Sequence, residues 1–215
     1  MSTTPSEALR RRWLDSLLPE VAFDGWTEAA AEQAASAAGL SDGEQALAAP
    51  RGVVDLIDAF FDEAAGAALA DLAAQDLESL RVHERVKAGV LAWLHALQPN
   101  REAVRRAAAR GLVPWSATPA LQRTWRVADM IWEAAGDTAT DYNRYSKRGL
   151  LAAALPSIVM YWLDNPSGED LDAYVTRRLA QASGAGRSAG KILGPLLDVI
   201  APKRPNGDSK GEDRR

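Results

Sequence analysis

The chain has 215 residues, no cysteine and a net charge of −4, with 25 basic and 29 acidic side chains. Without cysteine it has no disulfide, no thiolate ligand for a metal and no cysteine nucleophile. Alanine is abundant, and no segment alternates apolar and polar residues as a half-buried strand does, so the chain is predicted to be all-α. Residues 1–18 lack the apolar core of a secretory signal, which favours a cytoplasmic protein.

Helix-capping signals predict three short helices at the start of the chain. Thr4 begins the first, with Glu7 completing a capping box, and Pro19 is predicted to end it. Thr27 begins an alanine-rich second helix, and Ser41 begins the third. This order has the outline of a helix-turn-helix.

The charge of this N-terminal part argues against contact with nucleic acid. A helix in the major groove of DNA must bring cations to the phosphates. Residues 1–50 are therefore predicted to form a three-helix part that does not bind DNA. From position 13 to position 50 there is no Lys, Arg or His, but there are seven acids: Asp15, Glu20, Asp24, Glu28, Glu32, Asp42 and Glu44.

The acids and histidines of the next two helices do not predict a metal site. His83 and His95 lie twelve residues apart on one helix and share no coordination sphere; His83 is expected at the surface and His95 near a cap or in the core. A helix running from Val53 toward Leu80 has an acidic side without the Glu-x-x-His spacing of di-iron bundles. No metal and no cofactor is predicted, and the acids should form a solvated face: Asp55, Asp58, Asp62 and Asp71.

The densest cationic patch follows Asn100, which caps a short helix. Its arginines either form a solvated face that pairs with the acidic helices or contact anionic lipid headgroups. Thr118 and Pro119 are predicted to open the next helix, whose apolar stripe includes Ile131. Core packing is the default for such a stripe, whereas an exposed Met130 or Ile131 would indicate a docking surface. The patch has four arginines: Arg101, Arg105, Arg106 and Arg110.

Residues 149–163 form a continuous apolar run without a charged side chain. A helix that is apolar all round is buried or lines an apolar cavity, and this run is too short to cross a bilayer, which needs roughly 20 residues. Pro156 lies inside the run and predicts a bend about one turn earlier. The run therefore predicts either a core helix with a proline kink or a bent helix that leaves room for a ligand.

The residues around this run resemble a known family. The pattern D-x-x-T-D-Y-N-x-Y-S-K-R stands at residues 137–148, L-D-N-P-S at 163–167 and T-R-R-L at 176–179. This combination is similar to the ubiquinone-biosynthesis accessory proteins of the coenzyme Q protein nine family, and a looser likeness extends back to F-D-G-W at 23–26. Arg144 departs from the pattern, since the family is expected to have a tryptophan there.

The resemblance implies a TetR-like fold and a homodimer, with a larger ligand-cavity bundle over residues 51–183. It also implies an accessory protein, not an enzyme, that binds an isoprenoid lipid or quinone intermediate and presents it to a ubiquinone-biosynthesis hydroxylase. The lipid site would be lined by residues of the apolar run: Leu151, Leu155, Ile158, Val159 and Trp162. The hydroxylase would face a second set: Ile131, Asp137, Asn143, Tyr145 and Arg148.

The C-terminal segment is predicted to reach a membrane surface. Residues 184–190 are glycine-rich and predict a linker, residues 191–202 predict an amphipathic helix, and residues 203–215 predict a disordered tail. Cations flank the apolar residues of this helix as in an interfacial anchor, although docking on protein is an alternative. With the resemblance, this predicts peripheral association with the inner membrane through Lys191, Ile192, Leu193, Leu196, Leu197 and Ile200.

Two other functions stay open. A TetR-type ligand-responsive transcriptional regulator would share the fold and the cavity but would need a basic recognition surface. A structural interaction protein would have a solid core and no ligand. The regulator predicts a shift of DNA at low salt, and the structural protein predicts an organic extract without lipid.

Overall fold

The computed structural model describes residues 4–111, 114–137, 142–165 and 170–188. Within these ranges all regular structure is helical. The short 3-10 helix Gln98–Asn100 joins the fifth α-helix to the sixth. The α-helices of these ranges are α1 (Pro5–Asp24), α2 (Glu28–Ala37), α3 (Asp42–Ala48), α4 (Val53–Ala73), α5 (Val82–Leu97), α6 (Arg101–Gly111), α7 (Pro114–Ala134), α8 (Tyr142–Asp164) and α9 (Leu171–Ser188).

The capping signals of the first three helices are confirmed. Thr4 Oγ1 accepts the backbone N–H of Glu7, and the Glu7 carboxylate accepts the backbone N–H of Thr4 at 2.7 Å. Thr27 and Ser41 likewise accept a backbone N–H from the third residue after each of them. Because each cap pairs donors that the first helical turn leaves without partners, these starts could be read from local sequence.

Prolines were poorer guides to helix ends. Pro19 does not end α1, which continues to Asp24 because Val21 on the next turn is fully buried in the core. Burial of this turn offsets the hydrogen bond that a proline removes. The helix predicted to open at Pro119 instead begins at Pro114, and Pro119 lies inside α7. Pro156 lies inside α8, as the sequence predicted, and the bend expected one turn earlier stays a prediction.

Two further boundaries differ from the prediction. The long fourth helix ends at Ala73 rather than near Leu80, and the chain then forms hydrogen-bonded turns up to α5. The last helix continues to Ser188, past Gly184 where a linker was predicted to begin. The turn at Ser167, the amphipathic helix at 191–202 and the tail at 203–215 lie outside the described residues.

The N-terminal helices and the larger bundle share one core of buried side chains. Helix α1 packs against α2, α3, α4 and α6, while α7 packs against α4, α5, α6 and α8, and α9 packs against α5 and α8. Two indole N–H groups tie the N-terminal part together and to the bundle. Trp13 donates to the Ala31 carbonyl at 2.8 Å, and Trp26 donates to the Ala103 carbonyl of α6 at 2.9 Å.

Candidate functional site

A cavity of about 490 Å³ lies between α4, α5, α6, α7 and α8. Small-molecule sites in proteins commonly have volumes of roughly 300–1,000 Å³. Its lining is largely apolar, with Arg105, Arg123 and Thr124 as polar members among the described residues. The volume exists because small side chains stand where larger ones would fill the space, namely Ala107, Ala108 and Ala109 on α6 and Ala120 on α7.

The cavity has a buried end and an open mouth. Each of the five helices contributes a buried side chain to the inner wall: Phe61, Trp93, Val104, Val127 and Leu155. At the mouth, Leu121 of α7 is 47 % exposed and Met160 of α8 is 49 % exposed. Large exposed apolar side chains at the rim of an apolar cavity are typical of a site that receives an apolar ligand.

Arg123, on the cavity wall, belongs to an ion-pair cluster centred on Asp58. Arg123 Nε donates to Asp58 Oδ1 at 3.0 Å, and its guanidinium carbon lies 5.3 Å from the ring centre of Phe61. Arg51 and Arg126 also pair with Asp58, at 2.9 and 3.1 Å. Burial lowers the pKa of Arg123, although the Asp58 carboxylate acts in the opposite direction.

This cluster corrects the prediction of a solvated acidic face on α4. Asp58 is buried against α7, and Asp55 is buried where Arg51 Nε donates to it at 2.7 Å. The acids face the arginines of α7 and of the turn before α4, so the acidic side of this helix is an internal contact. Asp62 and Asp71, by contrast, are exposed as expected.

The predicted lipid residues divide between two sides of α8. Leu155 and Val159 line the cavity together with Leu163, because residues four apart share one helix face. The other three, Leu151, Ile158 and Trp162, are buried in the core and do not line the cavity. Trp162 Nε1 donates to Gln98 Oε1 at 3.0 Å, and Arg101 lies 4.6 Å above its ring.

The residues predicted to face a hydroxylase are largely internal, and their contact with such an enzyme stays a prediction. Ile131 is fully buried, so the core interpretation of its stripe holds. The side chains of Arg148 and Asp137 are also buried, and Arg148 Nη1 donates to Asp137 Oδ2 at 2.8 Å. Tyr145 is half-buried and stacks on Trp125 with ring centres 6.4 Å apart. The side chain of Asn143 lies outside the described residues.

These charged residues form a second cluster where α7 and α8 meet. Arg148 and Arg144 both bond Asp129, and Arg144 also pairs with Glu133 at 3.2 Å. Lys147 Nζ donates to Asp137 Oδ1 at 2.8 Å. Arg144, which departs from the family pattern, therefore has local acidic partners. The cluster is built from charges that are paired with one another, so its first role is to hold α8 against α7.

The arginine patch of α6 bonds neighbouring backbone groups. Arg105 donates to the Leu163 carbonyl at 2.6 Å, near the end of α8. Arg106 and Arg110 donate to the carbonyls of Ala22 and Trp26 at 3.0 and 2.8 Å, near the end of α1. Cations stabilise the carbonyl ends of helices, so these arginines connect α6 to α1 and α8. Contact with lipid headgroups stays a prediction.

The remaining polar candidates do not form a site in the described residues. His83 is exposed as expected, and His95 lies in the last turn of α5 close to the C-cap Gln98, which is one of its two predicted placements, with its side chain exposed. Within these ranges, no group of three or more metal-binding side chains is close enough to hold a metal ion. Across the same residues, every helix is too short or too polar to span a bilayer.

The fold and the cavity define an all-α protein of the TetR-like class. A crystal structure of a TetR transcriptional regulator from Nitrosomonas europaea superimposes with a TM-score of 0.62, covering 81% of this chain and 98% of that one. Because the two sequences are 22% identical, this similarity concerns the fold alone.

The sequence comparisons are more specific. The COQ9 family model matches residues 117–186. The ubiquinone biosynthesis protein COQ9, mitochondrial, of Bos taurus is 26% identical over 196 residues, and the Homo sapiens protein of the same name is 26% identical over 195. Each match covers 86% of this chain but 61% of the relative. The predicted resemblance to the COQ9 family is therefore confirmed, and the matched part spans about three-fifths of those relatives.

Proposed function

We propose that this chain is a lipid-binding accessory protein of ubiquinone biosynthesis. In this role it holds an isoprenoid quinone intermediate in the cavity and presents it to a hydroxylase of the same pathway. The observation that carries the proposal is the open apolar cavity of about 490 Å³ in a chain similar to COQ9 proteins. The chain itself performs no chemical step, since the oxidation belongs to the hydroxylase.

The physical basis is an exchange of one apolar environment for another. Moving a hydrocarbon tail into water costs about 0.8 kcal/mol for each methylene group. A tail that passes between Leu121 and Met160 to Val159 and Leu155 avoids most of this cost. The cavity would therefore let a poorly soluble substrate leave a bilayer at little expense in free energy.

The membrane, the second subunit and the enzyme partner are further parts of the proposal. The helix predicted at 191–202 would hold the protein at the inner membrane, with Leu196 and Leu197 on its apolar side. Two copies would form a homodimer. Of the residues predicted to face the hydroxylase, half-buried Tyr145 is the candidate for direct contact, whereas Arg148 would support the surface from within.

Native mass spectrometry of the purified full chain, with lipid analysis of an organic extract, tests the proposal. The wild-type protein should carry an isoprenoid quinone. Ala108→Trp places an indole inside the cavity and should remove most of the bound lipid, whereas Ala70→Trp on the exposed side of α4 should retain it. A wild-type protein isolated from membranes without any isoprenoid would contradict the proposal and favour a structural protein.

The alternative is a ligand-responsive transcriptional regulator, which the shared fold with a TetR regulator favours. The acidic N-terminal part opposes it, because the segment from position 13 to position 50 has seven acids and no basic residue. A gel-shift experiment at low salt separates the two functions. A sequence-specific shift that a quinone releases would replace the accessory role with the regulator.

A further inference from the structure

The cavity is smaller than a long isoprenoid tail. At a packing density of about 0.75, which organic crystals and protein interiors share, one five-carbon isoprene unit fills roughly 100 Å³. The cavity volume of about 490 Å³ therefore corresponds to roughly four or five units. A tail that is longer than this cannot be enclosed completely, even when the quinone ring stays outside.

The inner wall limits how deeply a tail can enter. Phe61 of α4, Trp93 of α5 and Leu155 of α8 are large, buried side chains of this wall, and the rings of Phe61 and Trp93 lie 6.1 Å apart. Because interiors are close-packed, these side chains cannot move aside without disturbing the core. Ala107 of α6 is also buried and has the smallest side chain among the buried lining residues that the structure describes. Its small side chain leaves the space into which the deepest unit of a tail fits.

The mouth offers a surface to the part of the tail that stays outside. Leu121 and Met160 are about half exposed on either side of the opening, and Ala109 of α6 is an exposed lining residue. Exposed apolar side chains of this kind are suited to contact with another apolar group. The remaining units of a long tail can therefore lie along the rim, partly shielded from water.

We infer that the cavity encloses about four or five isoprene units, whatever the full length of the tail, and that Ala107 sets this limit. This inference rests on the proposed function and adds the selection of the tail. The protein distinguishes tails by length up to the limit and treats all longer tails alike. Consequently, a long isoprenoid need not be enclosed along its whole length to be held and presented.

Three ubiquinones with the same ring and with tails of two, six and ten units test the limit. Each is supplied at equal mole fraction in phosphatidylcholine vesicles. The full chain is then separated from the vesicles by flotation, and the quinone bound to it is quantified by mass spectrometry. The measurement is made on the wild-type protein and on variants whose fold is verified by circular dichroism and chemical denaturation.

Ala107→Phe adds a phenyl group, which has about the volume of one isoprene unit, at the inner end of the cavity. It should lower the bound amount of the six-unit and ten-unit quinones at least tenfold and by the same factor, since each methylene group displaced into water weakens binding about fourfold. The two-unit quinone should change less than twofold, because a tail this short does not extend to the inner end.

Two further variants separate the limit from general damage to the fold. Ala109→Phe adds the same ring at the exposed mouth and should change each of the three quinones less than twofold. Leu155→Ala enlarges the inner end and should raise the bound six-unit and ten-unit quinones at least threefold without affecting the two-unit quinone. An increase in bound quinone cannot result from misfolding.

The outcomes distinguish the two proposals. The length limit would be overturned if Ala107→Phe affected all three tails equally or none of them, if it affected the ten-unit tail far more than the six-unit tail, or if Leu155→Ala produced no increase. The lipid site would still stand in each of these cases. A wild-type protein that takes up none of the three quinones would overturn the proposed function itself.

Discussion

Gly89 on α5 lies so close to Ile131 on α7 that a β carbon at position 89 would be 2.9 Å from Cγ2 of Ile131. Ile131 is fully buried and cannot move away without disturbing the core. We therefore expect Gly89→Ala to lower the free energy of unfolding by about 1–2 kcal/mol, because overpacking outweighs the helix propensity that alanine adds. Urea denaturation of the full chain measures this change.

Gly66 on α4 provides the matched control. It is an exposed helical glycine, and a β carbon there would have no neighbour within 4 Å. Gly66→Ala should raise the free energy of unfolding by about 0.5–1 kcal/mol through helix propensity alone. If both substitutions stabilise the protein, α5 and α7 do not pack closely enough at Gly89 for a β carbon to clash with Ile131.

The buried cluster at Asp58 predicts unequal effects for two acids one turn apart on α4. Asp58→Ala leaves Arg123, whose side chain is 12% exposed, without its carboxylate partner and should cost about 3 kcal/mol of stability. Asp62 is exposed and pairs with Arg126 at 3.5 Å, so Asp62→Ala should cost less than about 1 kcal/mol. Chemical denaturation of the two variants tests the difference, and equal costs would contradict the burial of the cluster.

Asp137 predicts a dependence of stability on pH. Burial raises its pKa, but hydrogen bonds from Lys147 and Arg148 outweigh burial, so the pKa lies below its ordinary value. A carboxyl with a lowered pKa in the folded state stabilises the fold above its unfolded pKa of about 3.9. This stabilisation disappears as the pH falls through the lower, folded pKa.

The substitution Asp137→Asn tests this sign. It should lower the free energy of unfolding by about 3 kcal/mol at pH 7, because it removes one member of a buried ion pair. The difference from the wild type should narrow below about pH 4, where the unfolded wild-type carboxyl takes up a proton. Glu78→Gln, at an exposed acid, is the control. If the difference in free energy of unfolding between the wild type and Asp137→Asn stays constant down to pH 3, the Asp137 carboxylate does not stabilise the fold in this way.

Local signals predicted the fold better than the site. Thr4, Thr27 and Ser41 begin their helices as expected, since a cap depends on residues within one turn. The prediction that Pro19 ends α1 was wrong, because the burial of Val21, a tertiary effect, keeps α1 helical beyond the proline. The family resemblance correctly predicted the TetR-like architecture, because that architecture follows from the pattern of the whole chain.

The site depends on contacts between distant segments. Asp58 and Arg123 are 65 residues apart, so their pairing could not be read from the acidic spacing on α4. The position of Trp93 on the cavity wall could not be predicted for the same reason, because nothing in its own helix indicates that its ring meets a cavity formed with four other helices. A run that is apolar all round predicts that α8 is buried, but it does not indicate which of its sides meets the cavity.

The two sides of α8 make a prediction that separates ligand binding from stability. Trp162 lies away from the cavity and bonds Gln98, so Trp162→Phe should lower the free energy of unfolding by about 1–2 kcal/mol and leave decylubiquinone affinity within twofold. Val159 lines the cavity, so Val159→Trp should fill part of it and weaken decylubiquinone at least tenfold. Chemical denaturation gives the stability of both variants, and displacement of a bound fluorescent probe by decylubiquinone gives their affinity for the quinone. Loss of affinity in Trp162→Phe with retention in Val159→Trp would place the quinone against the opposite side of α8.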